Sequence, residues 1–351
     1  MKKLISIILS LSFLLTLVSC SATQNEKLER FSKSFFEIFD TASTITAYDK
    51  SQKDFEEHFN MFYEELETYS KLYDIYKSYD DVVNLKYVNE NAGKAPVKVD
   101  KKIIDLLVYA KDAYEMTEGY TNICMGSVLS VWHDKREEGL QNSENATLPN
   151  IDELKEKSIH TDINNLIIDT ENLTVFFADD KMTLDVGSVA KGFVVDRMCE
   201  FIKENNIWSS ATISLGGNLK TVGYKNNDGK TKFIIGIESP DKSKEYLSKV
   251  SVANGLSVVT SGDYQRYYTV NGTRYCHIID PNTLMPADKF TSVSVITDNS
   301  ANADALSTAL FIMDIEDSKQ LVESLENVEV IWVYKNGKEV RSSGFSKYEV
   351  K

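Results

Sequence analysis

Beyond Leu166 the chain is built largely from short runs of alternating or β-branched apolar residues. "LIID", "TVFFAD" and "MTLDV" come first, then "SATISL", "KFIIGI", "KVSVA", "SVVTS", "YYTV" and "SVSVIT", and "VEVIWVYK" closes the series. Runs of about four to eight such residues bounded by Gly, Asn, Asp or Ser read as strands. Helical patterns interrupt them at Val189 to Asn205, from Ala301, and at "DSKQLVESL". Helices that do not alternate one for one with strands argue against a doubly wound parallel sheet, and strands in hairpin order favour antiparallel pairing. The expected fold is α+β: a single large domain with mixed, largely antiparallel sheets and grouped helices.

The first half supplies most of the helices. "TITAYD", Thr44 to Asp49, alternates as a strand does, and Phe55, Phe59, Phe62, Leu66, Tyr69, Leu72 and Tyr73 recur at helical spacing up to about Tyr76. Asp100 is a cap for "KKIIDLLVYAKDAYEMT", which stops at Gly119. His133 to Asn150 is polar throughout and reads as a solvated loop. The chain is 42% hydrophobic and 26% charged, enough for a sizeable core. A formal net charge of −14 speaks against binding nucleic acid, which needs clustered Lys and Arg. It also means that an anionic ligand requires a metal ion or a local positive pocket.

"MKKLISIILSLSFLLTLVSC" has two lysines, an apolar run, and small residues leading into Cys20, the order of a bacterial lipoprotein signal. The expected layout is a signal peptide over 1–19, a lipidated tether over 20–35 beginning at Cys20, and a domain over 36–351. Such a protein is anchored on the outer face of the cytoplasmic membrane. Cys124, Cys199 and Cys276 are odd in number and lack C-x-x-C spacing, so they read as packing residues rather than a disulfide framework.

Four segments carry chemistry. In "LDVGSVAKGF" (Leu184 to Phe193) a strand-like run meets Gly187 and then a helix, and its backbone amides and Lys191 can face a phosphate. The Walker A spacing is absent, and a capped helix after a tight turn explains the same residues. In "SLGGNLKTVG" (Ser214 to Gly223) two glycines bring backbone close to a ligand or to another strand. "TSGDYQRYYTVNGTRYCHIIDP" contains His277, the one histidine of the four set among ligand-ready residues; a lone strand histidine is nonetheless often structural. "ANADALSTALF" (Ala301 to Phe311) places Asp304 and Thr308 one turn apart on one face of an apolar helix. A buried carboxylate needs a partner. Either Asp304 lies in a first turn capped by Ser300 or Asn302, or it holds a hard cation together with Thr308.

Together these segments resemble, in order and rough spacing, the FAD:protein FMN transferases of the ApbE family, which are bacterial flavin-transferring lipoproteins. The likeness runs from about Phe39 to the last strand. It implies Mg²⁺-assisted cleavage of FAD and transfer of FMN to a Thr or Ser hydroxyl of a partner flavoprotein, with release of AMP. By this resemblance Asp304, Thr308 and the backbone oxygen of Ser188 are the metal ligands. His277 is the catalytic residue at the acceptor hydroxyl, and an unperturbed imidazole titrates near pH 6.5. Asp185, Lys191, Tyr120, Thr121, Asn122 and Ile279 match flavin-nucleotide contacts, and Tyr76 or Tyr79 offers a stacking ring. The implied partners are acceptor flavoproteins of membrane or extracellular electron transport, with no role for nucleic acid. Where the family has T-G-x-P, this chain reads Thr283-Leu284-Met285-Pro286. Leucine is costly at positive φ, so this turn is expected to differ. An Mg²⁺-dependent FAD pyrophosphatase would share the site, and a non-enzymatic flavin-binding lipoprotein would not need His277.

Overall fold

A computed structural model describes residues 28–350; Cys20, its leader and the first part of the tether lie outside the described residues. The central element is an eight-stranded sheet. Its strands, in spatial order, are Glu29–Phe35, Ser43–Asp49, Ala211–Leu215, Asn218–Val222, Ser257–Gly262, Phe290–Thr297, Glu329–Tyr334 and Glu339–Arg341. Every pairing among them is antiparallel, as the hairpin order of the sequence implied. Smaller two- and three-stranded sheets flank it.

Helices cover one face. Gln52–Tyr73 is capped by Ser51, whose hydroxyl accepts from Asp54 N, and it buries the predicted row from Phe55 to Tyr73. Lys101–Met116 starts at Asp100, which accepts from Lys102 N. These helices pack with Ala190–Glu204 over Ile45, Ala47, Ala211, Ile213 and Leu215. Further along the sheet, Val259, Val293 and Val295 pack against Ser300–Ile312, the helix that carries Asp304. On the opposite face, Val258, Ile296 and Ile331 meet Ile237, Val250 and Val252 of a separate hairpin, Phe233–Glu238 with Tyr246–Val252. The period-2 alternation of the central strands is thus spent on two different partners.

Several expectations are corrected. Residues 29–35, assigned to the tether, form the edge strand, paired in register with Ser43–Asp49. "MTLDV" is extended but joins no ladder, because its backbone groups bond elsewhere: Leu184 N to Asn89 Oδ1 at 2.8 Å and Asp185 N to Ile123 O at 2.8 Å. The polar stretch from His133 is helical as far as Gln141, within Gly126–Gln141. Val128, Val131 and Trp132 bury its inner face, and the charged residues behind them sit on the outer one. Leu284 does take positive φ, at +61°. Its nitrogen donates to Asp280 O at 2.8 Å, its carbonyl accepts from Trp132 Nε1 at 2.9 Å, and its side chain is buried. Burying a leucine is worth about 1.5–3 kcal/mol, which matches the roughly 1–3 kcal/mol strain of that conformation. The three cysteines are free and buried, and burial pushes the Cys124 and Cys199 thiols up to about 12, as suits packing residues.

Candidate active site

The helix Ser300–Ile312 begins at Asn299, whose side chain accepts from Asn302 N at 2.8 Å. Asp304 is therefore in the second turn, and helix capping does not account for it. The start of this helix is held by a buried network that the sequence did not reveal. Asp196 accepts from Ser300 N at 3.1 Å and Ala301 N at 2.9 Å. Lys220 Nζ donates to Asp196 Oδ1 and to Asp298 O, both at 2.6 Å. A neighbouring helix, Ala190–Glu204, crosses at Gly192, where a Cβ would lie 2.6 Å from Asp304 Cβ. Only glycine allows that approach.

Asp304 itself is buried. Gly192 N, one of the unsatisfied amides of a helix first turn, donates to Asp304 Oδ2 at 2.8 Å. Lys191 Nζ stands 3.9 Å from Oδ1. Burial raises the Asp304 carboxyl above its ordinary range, and Lys191, the Gly192 amide and the Asn218 side chain oppose the rise. Other oxygens of the neighbouring elements lack partners. The Thr308 hydroxyl, one turn on, and the Ser188 carbonyl make no hydrogen bond among the described residues, and Asn218 Oδ1 is buried without a partner. A carboxylate, a hydroxyl and carbonyl oxygens form a hard donor set, which suits Mg²⁺ rather than a soft metal. Among the described residues no cluster of three or more His, Cys, Asp or Glu offers an alternative metal site.

His277 feels the charge of the same Lys191 that stands beside Asp304. Its Nδ1 is 3.1 Å from the carbonyl oxygen of Arg266, which can only accept, so the proton belongs on Nδ1 and the lone pair on Nε2. Burial, then the Arg266 charge, lower its pKa to about 4; Lys191 and Arg136 act in the same direction. The imidazole is neutral throughout the physiological range. The other three histidines are engaged: His58 with Asp49 at 2.7 Å, His160 with Asp179 at 2.7 Å, and His133 stacked on Tyr76 at 5.2 Å with Arg136 against its Nδ1. Tyr76 is exposed at this mouth, with Asp185, Arg136 and Arg266 the nearest charges. Arg266 also donates to Asp40 O at 3.1 Å. Lys191, Arg136 and Arg266 thus make a local cationic mouth in an acidic chain.

Among the residues singled out from sequence, Asp304, Thr308, Ser188, Lys191 and His277 fall in one region, and Asp185 joins them through Tyr76. Others hold the frame. Thr121 is buried and donates to Ala305 O at 2.9 Å, which fixes the Asp304 helix. Asn122 caps a short turn by accepting from Cys124 N and donates to Thr161 O. Ile279 packs with Met125, Trp132 and Leu284. Tyr120 packs beside the same helix, with Asp280 its nearest charge. Arg136, Arg266 and Asn218 were missed. Arg136 sits in a polar stretch that reads as loop, and the other two carry no spacing signal.

The ApbE family model matches residues 39–332. The chain belongs to the ApbE family. Among curated relatives of this ApbE protein, an FAD:protein FMN transferase of Klebsiella pneumoniae is 29% identical over 282 residues, covering 78% of this chain and 84% of the relative. One from Treponema pallidum is 32% identical over 271 residues, covering 74% and 72%. The crystal structure of the ApbE protein from Thermotoga maritima superposes with a TM-score of 0.79 at 28% identity, over 92% of this chain and all of that one. The flavin transferase ApbE from Vibrio cholerae, at 23% identity and a TM-score of 0.74, shares the fold.

Proposed function

We propose that this ApbE-family enzyme is an FAD:protein FMN transferase that uses Mg²⁺, a Thr or Ser hydroxyl of a partner flavoprotein as acceptor, and AMP as leaving group. The observation that carries the reading is a buried carboxylate and a neutral histidine that share the charge of Lys191. Asp304, Thr308 and the Ser188 carbonyl would hold the ion. When bound, Mg²⁺ supplies charge neutralisation at the pyrophosphate of FAD. Lys191, Arg136 and Arg266 attract and orient the dianionic pyrophosphate, while Tyr76 offers its exposed ring for stacking. His277 Nε2 accepts the acceptor's hydroxyl proton, and the Arg266 carbonyl steadies the imidazolium through Nδ1–H. The hydroxyl oxygen attacks the FMN-side phosphorus, the bridging P–O bond breaks, and AMP departs with the bond electrons.

We also propose that Cys20 carries a lipid, and that the domain works at the outer face of the cytoplasmic membrane on flavoproteins of membrane or extracellular electron transport. The order of charge, apolar run and Cys supports this. The transfer reading is tested with the chain from Cys20 onward, FAD, Mg²⁺ and a candidate flavoprotein. A partner band that stays fluorescent after denaturation, with one AMP per flavin attached, is the expected result. AMP and free FMN with no labelled partner would mean FAD pyrophosphatase activity instead. Membrane partitioning unchanged in Cys20→Ala would remove the anchor.

A further inference from the structure

Asn218 opens the strand Asn218–Val222, directly after Gly216 and Gly217. Both glycines have positive φ, +54° and +90°, which makes the connection from Ala211–Leu215 a tight two-residue turn of the primed type. The turn is packed shut on its outer side: a Cβ at Gly216 would lie 2.4 Å from Thr41 Oγ1. Asn218 pairs with Leu215 on one side and Val259 on the other, so its backbone is fixed within the sheet. Strand alternation puts Asn218 and Lys220 on the same face. Lys220 uses that face to reach Asp196 and the start of the Asp304 helix. Asn218 stands where this strand packs against the same helix further along, with its side chain within reach of the Asp304 carboxyl.

The amide of Asn218 is left half used. Its Nδ2 makes a long contact to Leu215 O at 3.4 Å, and Oδ1 is buried with no donor, on a residue only 2% exposed. Native interiors seldom leave a buried amide oxygen unpaired unless a ligand or ordered solvent completes it. Several serine hydroxyls are also buried without partners, but a hydroxyl can rotate to suit, whereas an amide oxygen is fixed by its side chain. Among these orphaned groups, Asn218 is the one within reach of the Asp304 carboxyl.

We propose that Asn218 is a positioning residue of the cation site: its amide nitrogen orients the Asp304 carboxylate, and its free Oδ1 accepts a hydrogen bond from the ion's hydration shell. This rests on Asp304 being a cation ligand. Residues that orient a metal ligand typically contribute about 10–100-fold to affinity, so Asn218→Ala should weaken metal binding by that factor while the protein stays folded.

The probe is Mn²⁺ alone, titrated without FAD and followed by electron paramagnetic resonance, with thermal unfolding recorded in parallel. Wild type should bind, Asp304→Ala should not, and Asn218→Ala should bind about 10–100-fold more weakly at a similar metal-free Tm. Mn²⁺ affinity within twofold of wild type in Asn218→Ala, alongside loss in Asp304→Ala, overturns the role of Asn218 and leaves the cation site intact. Affinity retained in Asp304→Ala overturns the site itself, and Asn218's role with it. Asn218→Asp keeps the oxygen and the side-chain shape and covers the case in which alanine does not fold. It places a second carboxylate beside Asp304, so Mn²⁺ should raise its Tm by more than it raises that of wild type. An equal or smaller rise counts against the proposal.

Discussion

Replacing Gly192 by alanine tests whether the crossing of two helices sets the site. The added Cβ would sit 2.3 Å from Ser300 O and 2.6 Å from Asp304 Cβ, where ordinary contacts begin near 3.4 Å. Both opposing atoms belong to the Ser300–Ile312 helix, and neither is the movable end of a long side chain. The helices must part by about 1 Å. Overpacking of this kind costs about 1–3 kcal/mol. At about 2.1 cal/mol/K of unfolding entropy per residue, a domain of roughly 320 residues loses about 1.5 °C in Tm per kcal/mol, so the expected drop is about 2–5 °C. The functional loss should be larger. Parting the helices stretches the Gly192 N to Asp304 Oδ2 bond, 2.8 Å in the native arrangement, and displaces Asp304 from Lys191. A misplacement of about 1 Å at a reacting centre can cost on the order of 10²-fold in rate. Thermal unfolding, Mn²⁺ affinity and single-turnover FMN transfer measured together read all of these effects. Wild-type transfer and metal affinity in a folded Gly192→Ala would falsify the claim that this contact places Asp304.

Further outcomes follow from the same geometry. Asp304→Ala should abolish transfer with the fold largely intact, and Thr308→Ala should be milder because water can replace a neutral hydroxyl; equal losses in Mg²⁺ titrations would contradict the ligand ranking. His277→Gln should bind FAD but transfer about 10²–10⁴-fold more slowly. In wild type the acid limb of the rate should lie near pH 4 rather than 6.5, with activity lost as pH falls because the base must be neutral; a limb near pH 6.5 would show that His277 is not shielded as described. The same shift has a stability sign: the unfolded imidazole binds its proton at higher pH than the folded one, so His277's contribution is complete above about pH 6.5 and is lost as pH falls towards 4. Arg266→Gln keeps the carbonyl that holds Nδ1 but removes a cation, so the acid limb should move up while staying below 6.5, since burial is the larger cause, and weaker FAD binding in titrations should accompany it. Lys220→Met leaves Asp196 buried without its cation; removing one partner of such a pair costs about 3–5 kcal/mol, and the loss belongs at the low end because the Ser300 and Ala301 amides still serve Asp196, which chemical denaturation can measure.

How much of this was legible in the sequence depends on the range of the interaction concerned. Strand alternation and the row from Phe55 to Tyr73 are local, and their elements formed where the pattern put them. "MTLDV" has the same local pattern but spends its hydrogen bonds on Asn89, 95 residues away, and so joins no sheet. The His133 stretch failed for the opposite reason. Its polar residues described one face of a helix whose buried face, Val128 to Trp132, lay just upstream. Leu284 shows that a local cost can be outweighed by burial and by a bond from Trp132, 152 residues away. At the site, Asp304, Thr308 and His277 stood out because a carboxylate and hydroxyl in an apolar helix, and a histidine set directly after the strand Thr273–Cys276 among ligand-ready residues, are locally odd. Asn218, Arg136 and Arg266 are locally ordinary; only the fold brings them to Asp304, Tyr76 and His277.

The distribution of charge explains how a chain of net charge −14 can serve a doubly anionic dinucleotide. The acidic residues do not surround His277. The charges acting on it are Arg266, Lys191 and Arg136, all of one sign, and with burial they keep the imidazole deprotonated. A carboxylate beside this histidine would instead have raised its pKa. The one carboxylate the chemistry needs, Asp304, is instead sunk in the helix crossing. There the Gly192 amide and Lys191 take up part of its charge, and the proposed cation would take up the rest. Lys191 acts on both groups: it moderates Asp304, and it adds a positive field at His277. The order Gly187, Ser188, Lys191, Gly192 is then one device, a turn and a helix start that present a free carbonyl, a cation and an amide within six residues.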